Sequence, residues 1–244
     1  MTLSPSVPEE LQFAFKPSVR TLFDLEPVIF DSDWYSDEKE KGNRDIYFMY
    51  REGFRSGEDH DIMKENKIRF DITQIPAGFL GVEYVKTMGH YHPKVPGCRY
   101  SYPEVYQVIS GHATYLLQKR DLSGVIVIEA SEGDVVLIPP EFGHVTINAS
   151  REELVMSNWV AEFSSDYETV LEKHGFAYYV TKDGFVPNPH YSDRETDSAG
   201  KLPPISFMTP SDHPEFGLFC GKDMYDLIRE PEKLDFLQHP DLYF

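Results

Sequence analysis

Cysteine is nearly absent from this sequence: Cys98 and Cys220 are the two among 244 residues. Two thiols build neither a disulfide framework nor a four-thiolate zinc site, and they suit a reducing compartment. Basic residues are also scarce, with Lys and Arg together 23 against 41 Asp and Glu, for a formal charge of −18. A field of that sign repels phosphate backbones, so no nucleic-acid partner is expected. An anionic substrate would need a local, desolvated site. No apolar run approaches the ~18 residues that a membrane helix needs. The first residues also lack the basic segment and apolar stretch of a secretory signal. A cytoplasmic location without a membrane partner is the expectation. Internal repeats and low-complexity tracts are missing too. What is present is 41% hydrophobic and 14% aromatic, the composition of a globular protein. A chain of this length hides roughly 70–75% of its unfolded surface without staples.

From residue 68 to residue 182 short runs rich in β-branched and aromatic residues recur, at 68–75, 79–87, 104–109, 112–118, 125–129, 134–138, 145–148, 154–162 and 176–182. Turn signals such as Gly111, Gly124 and Gly133 separate them. This spacing predicts an antiparallel sandwich or barrel, and the gaps are too short for parallel βαβ crossovers. The fold class is therefore all-β with a few peripheral helices. One helix is expected after a Ser164 or Ser165 cap, with Tyr167, Val170, Leu171 and His174 on one face and Gly175 ending it. A short helix over 223–229, stopped by Pro231, is expected in the tail. Residues 1–67 are weakly periodic, with an exposed loop at 53–61 and a solvated acidic face at 31–40. The chain thus divides into an N-terminal extension (1–67) packing on the core or on a partner subunit, a β core (68–182) and a C-terminal extension (183–244).

The chemistry is concentrated at His90 and His92. Side chains two apart on a strand share a face, about 6.6 Å apart along it, and paired imidazoles are a usual start to a metal site, although the pair by itself also reads as two unrelated histidines. Glu104 follows after eleven residues, and Gly111 after six more. Further on come Gly133, five residues, Pro139, and then His144, three residues, Asn148.

These spacings resemble the two motifs of the cupin superfamily, which implies a cupin β-sandwich or jelly-roll barrel. Two departures stand out: the insertion 93–103 between His92 and Glu104, and Glu141 where the second motif has glycine. The segments 87–92, 103–106, 111–118 and 139–148 are similar to the cupin-type, metal-containing glucose-6-phosphate isomerases known chiefly from archaea. Residues 20–26 and the pair Asp166-Tyr167 are similar as well. The resemblance covers roughly residues 20–182 and leaves the tail without a counterpart. Near Asn158 it departs from members that carry a tyrosine at the sugar-phosphate site.

Position by position, the resemblance implies a metal held by His90, His92, Glu104 and His144, one divalent transition metal per subunit, usually iron. Three imidazoles and one carboxylate suit Fe(II), Mn(II), Ni(II) or Zn(II), leave positions open for substrate oxygens, and do not suit the all-oxygen preference of Mg or Ca. It points to Tyr47, Thr73, Thr87 and Gly89 for the phosphate, and to a homodimer. Glu104 is the candidate base for proton transfer between C1 and C2, with a hydride shift as the competing mechanism. The activity implied is interconversion of glucose 6-phosphate and fructose 6-phosphate in glycolysis and gluconeogenesis. An Fe(II) dioxygenase and a non-catalytic sugar-binding or storage cupin are the competing readings, since the fold hosts unrelated activities. Tyr106 and Tyr115 alternate on a strand and are candidates for the cavity wall. Lys86, as a strand lysine, reads as a solvated residue before it reads as a phosphate contact, and His112 as a surface or supporting histidine. Tyr167 and His174 read as packing, and both cysteines as inert thiols.

Overall fold

The computed structural model describes residues 7–191 and 202–244. Two sheets share its main core. The larger has the strand order Val135–Ile138, Glu104–Ser110, Leu154–Ala161, Ile68–Ile75, Asp45–Tyr50, Ser18–Thr21, with every neighbour antiparallel. The smaller runs Phe142–Ile147, His112–Lys119, Val125–Ser131, Ile205–Met208, the last strand joining in parallel. From Glu104 to Ala161 the chain passes repeatedly between the two sheets, the winding of a jelly-roll barrel, and the fold is all-β of the cupin type. The first crossing depends on Gly111. Its φ is +84°, and a Cβ there would lie 2.4 Å from the Glu153 carbonyl oxygen, so no other residue fits the corner.

Alternation along each strand sets the layers. Tyr106, Val108, Met156, Ile75, Tyr115 and Leu117 point between the sheets into one core. Val105, Val155, Trp159, Phe70 and Ile72 point out of the larger sheet and meet a second core formed by the C-terminal segment. That segment is a series of 3₁₀ turns, including Met224–Arg229 and Pro231–Leu237. Trp159 Nε1–H donates to the Met224 carbonyl at 2.9 Å. The strand Leu154–Ala161, covered on both faces, is accordingly buried along its whole length.

Several local expectations change. The run 79–87 splits into Phe79–Leu80 and Glu83–Tyr84, paired back to back across a turn at Gly81. The expected loop at 53–61 holds the strand Gly53–Phe54 and the start of the helix Gly57–Asn66. Ser56 caps that helix by accepting from the Asp59 N–H. The acidic stretch forms the helix Ser32–Lys39, capped by Asp31. The helix expected after Ser164 is a single turn, Glu168–Glu172, preceded by Tyr167 without a side-chain cap; Val170 is buried and Leu171 exposed. The expected tail helix is a 3₁₀ turn capped by Asp223. Strands 18–21 and 45–50 extend the larger sheet across residue 67.

Phe236 is fully buried in the second core, 4.3 Å from Phe216 ring to ring. Phe236→Ala should destabilise the protein by about 3–5 kcal/mol through lost burial and an unfilled cavity. Chemical denaturation measures this, and a loss below about 1 kcal/mol would show that the C-terminal segment is not integral to the fold.

Candidate metal centre

His90 and His144 lie on segments far apart in sequence that meet at an isolated antiparallel bridge. Each N–H donates to the other's carbonyl, at 3.1 and 3.0 Å. His92 follows on the same side of its segment, and Glu104 opens the strand Glu104–Ser110. The candidate ligand atoms of His90, His92, Glu104 and His144 all lie within 4.8 Å of one another. His90 Nε2 is 3.2 Å from His92 Nε2. Glu104 Oε2 is 3.2 Å from His92 Nε2 and 3.4 Å from His144 Nε2.

These residues fit a divalent transition metal. His92 Nδ1 lies 2.8 Å from the Tyr102 carbonyl. A carbonyl only accepts, so Nδ1 carries the proton and Nε2 turns a lone pair inward. Glu104 Oε2 is buried without a hydrogen-bond donor. Converging lone pairs with too few protons between them are costly to bury, and a cation bound by nitrogen and oxygen relieves that cost. The electrostatics favour the required protonation states. Burial, assisted by the neighbouring imidazoles, pushes His90 well below its usual range. Burial likewise pushes His144 down to about 4, against the opposing pull of Glu104. Burial raises the Glu104 carboxyl, but its close approach to His92, with His144 and Arg69 nearby, outweighs that and leaves it below normal.

Supporting groups surround the cluster. Asn158 Nδ2 donates to Glu104 Oε1 at 2.7 Å. Tyr106, on the same strand face as Glu104, places its hydroxyl 3.1 Å from His144 Nε2. Phe163 packs between the His92 and Tyr102 rings, at 4.6 and 4.9 Å. The two motif departures meet here. Glu141 has φ +71°, the left-handed conformation that glycine adopts without strain. It is held there by a reciprocal pair: Glu141 N–H donates to Ser101 Oγ at 2.7 Å, and Ser101 N–H to Glu141 Oε1 at 2.8 Å. Ser101 belongs to the insertion and immediately precedes Tyr102, whose carbonyl orients His92. The substitution and the insertion therefore operate together. Asn148, the last motif residue, donates to the Ile75 and Glu152 carbonyls and anchors a turn away from the ligands.

A cavity opens beside the cluster, and Tyr47, Thr73, Thr87 and Gly89 all lie on its wall. The Tyr47 hydroxyl accepts from the Met88 N–H at 3.2 Å, and burial pushes its pKa up to about 12. Thr87 Oγ1 accepts from the Thr146 N–H at 3.1 Å. The Thr73 hydroxyl and the Gly89 N–H have no hydrogen-bond partner among the described residues. Tyr106 and Tyr167 join the wall, Tyr167 packing 5.7 Å from the His90 ring. Tyr115 does not; it is buried deeper, its hydroxyl on Met156 Sδ. Lys86 is not solvated. It is 6% exposed and donates to Glu83 Oε2 at 2.6 Å and the Val28 carbonyl at 2.7 Å, away from the cavity. His112 is exposed. Asn158, noted above only as a departure from the resemblance, is on the wall, and Arg51 and Arg69 there were not anticipated. Their signal is alternation on strands: Arg69 and Thr73 share a face, as do Tyr47 and Arg51, once the strand is continued past Tyr50.

A jelly-roll barrel with three imidazoles and a carboxylate converging beside a cavity defines a cupin with a candidate metal site. The family model for glucose-6-phosphate isomerase matches residues 19–196, and the chain belongs to that family. The glucose-6-phosphate isomerase of Thermococcus litoralis is 30% identical over 169 residues, covering 69% of this chain and 82% of that one. That of Pyrococcus furiosus is 30% identical over 181 residues, covering 72% and 88%. Among solved structures, a Bacillus subtilis oxalate decarboxylase overlaps 50% of this chain and 28% of its own at 18% identity, with a TM-score of 0.38. So partial an overlap carries no argument about the site.

The depressed histidines set a pH dependence. Unfolded, His144 binds its proton near its ordinary value of 6.5; folded, it does so only near about 4. Between those values the unfolded chain holds more protons, so the stability of the metal-free protein rises with pH, and His90 acts in the same direction. Urea denaturation of chelator-treated protein at about pH 5 and about pH 7 should give the lower midpoint at the acidic value. Equal midpoints would show that the imidazoles are not buried in the neutral form.

Proposed function

We propose that this chain interconverts glucose 6-phosphate and fructose 6-phosphate, as its family membership suggests, using one divalent transition metal per subunit. His90, His92, Glu104 and His144 would hold the ion. Iron is favoured by the resemblance, with manganese, nickel and zinc as alternatives. The observation that carries this reading is the placement of Glu104. Its carboxylate stands at the junction of three imidazoles and a cavity whose wall also presents the Thr73 hydroxyl and the Gly89 N–H. When bound, the metal supplies Lewis acidity that polarises the sugar's C1 and C2 oxygens. Glu104 removes the C2 proton of the open-chain aldose and returns a proton to C1, while the C2 hydroxyl proton passes to the C1 oxygen, to give the ketose. Oε1 accepts a single hydrogen bond, from Asn158, and so keeps a lone pair for that proton. Thr73, Thr87, Tyr47 and Gly89 hold the phosphate through hydroxyls and a backbone N–H, which suits a protein too acidic for an exposed basic patch. The reaction belongs to glycolysis and gluconeogenesis, and a cytoplasmic location fits it.

The homodimer expected from the resemblance is carried forward with one restriction. The C-terminal segment already covers the outer face of the larger sheet within one chain. Exposed Phe207 and Met208, on the strand Ile205–Met208 at the end of the smaller sheet, are the better contact. Light scattering at micromolar concentration should report a dimer, and a monomer alone would remove this part of the proposal.

A coupled assay with fructose 6-phosphate should show activity that a chelator abolishes and Fe(II), Mn(II) or Ni(II) restores. Full turnover by metal-free protein would overturn the reading. Glu104→Gln keeps an oxygen for weak coordination but loses the base. Metal content should fall modestly while turnover falls ~10²–10⁴-fold, with loss of solvent deuterium incorporation at C2. Near-normal turnover in the metal-replete variant would remove Glu104 as the base.

A further inference from the structure

The proposed reaction leaves one charged cluster of the cavity without a task. Asp71, fully buried on the inner face of the larger sheet, accepts from Arg51 Nη1 at 2.6 Å, from Arg69 Nε at 2.8 Å and from the Glu52 N–H at 3.0 Å. Arg51 is committed further, its Nη2 lying 3.2 Å from Met49 Sδ. Arg69 is not. Only its Nε is engaged, its terminal nitrogens have no partner among the described residues, and its side chain is 20% exposed. Both arginines border the same cavity as Glu104. Two cations on one carboxylate leave positive charge on this wall of a protein whose formal charge is −18. Replacing a buried ion network by apolar groups is often neutral or stabilising, so stability alone does not account for it.

Sheet register places the cluster along the cavity. Arg69 is opposite Val160, and Val160 is opposite Glu104, so Arg69 and Glu104 stand at one level, two strands apart. Two inter-strand spacings are about 9.5 Å, within the combined reach of an arginine and a glutamate. Thr73 lies four residues further along the strand of Arg69, about 13 Å away. Arg69 therefore stands at the level of Glu104, and Thr73, one of the hydroxyls proposed for the phosphate, lies further along the same strand.

We infer that Arg69 donates a terminal N–H to the sugar oxygen that becomes anionic as Glu104 removes the C2 proton, while Asp71 and Arg51 are positioning residues that fix its side chain. This rests on the isomerase reading above. During the transfer the C–H electron pair moves into a C1–C2 double bond, the proton goes to Glu104, and negative charge gathers on the carbonyl oxygen. A preorganised cation at that oxygen strengthens its contact as the charge develops, so it acts on turnover more than on substrate affinity.

The test uses the metal-loaded enzyme and its Arg69→Met, Arg69→Lys and Asp71→Asn variants, each checked for metal content and circular dichroism. Arg69→Met should lower kcat ~10²–10³-fold with KM nearly unchanged. Calorimetry should show a parallel loss of affinity for a five-carbon phosphorylated sugar acid, whose carboxylate mimics the anionic intermediate. Arg69→Lys should recover part of both, since it keeps the charge but not the fork. It also decides the matter if the Met variant does not fold. Asp71→Asn should lower kcat less, again at constant KM. A rise in KM at constant kcat, or turnover and acid affinity both unchanged, would overturn the role of Arg69. Absence of isomerase activity in the unaltered enzyme would instead overturn the reading on which it rests.

Discussion

The reciprocal backbone bridge between His90 and His144 is the constraint on which the site depends. Each residue donates its N–H to the other's carbonyl, which fixes the two imidazoles against one another with ring centroids 4.6 Å apart. One segment enters from the loop after Glu83–Tyr84 and the other lies within the smaller sheet, so the pair exists only where segments distant in sequence are brought together. Gly89 shows how little slack there is. Its φ is +75°, and a Cβ would lie 2.5 Å from the Phe176 ring. The residue beside the first histidine is set by that packing as well as by any ligand it binds.

From this bridge outward, each layer supports the next. The larger sheet contributes Glu104 and Tyr106 from one strand, Asn158 from its neighbour and Arg69, Asp71 and Thr73 from the strand beyond. The insertion supplies the carbonyl that orients His92 and is tied to Glu141 by two short hydrogen bonds. A left-handed non-glycine residue is strained by about 1–2 kcal/mol, and those bonds are of the size to offset it. A segment that looks like an interruption of the motif is thus part of the support of the candidate metal site. The C-terminal segment buries the other face of the same sheet and gives the strands that carry the site a packed core on both sides.

The sequence made legible what depends on local spacing. The convergence of His90, His92, Glu104 and His144 was readable because period-two projection and motif gaps survive the insertion, and the strand series marked the barrel from its turns. Less local features were hidden. The strand Asp45–Tyr50 carries Ile46, Tyr47, Met49 and Tyr50 buried on both faces, so no polar alternation announced it. Without that strand in the sheet, Arg51 could not be placed beside Asp71. Lys86 looked solvated because nothing in its neighbourhood shows that Val28, distant in sequence, supplies a buried acceptor. The helix Gly57–Asn66 was more accessible: Ser56 followed by Asp59 is a cap signal that the glycines around it masked.

The central claim is that four side chains from three parts of the chain hold one ion. Anomalous diffraction at the absorption edge of the loaded metal tests it directly. One strong peak per subunit within bonding distance of Nε2 of His90, His92 and His144 and of the Glu104 carboxylate is the predicted result. Fully loaded crystals with the peak elsewhere, or with no ordered peak among these residues, would contradict it.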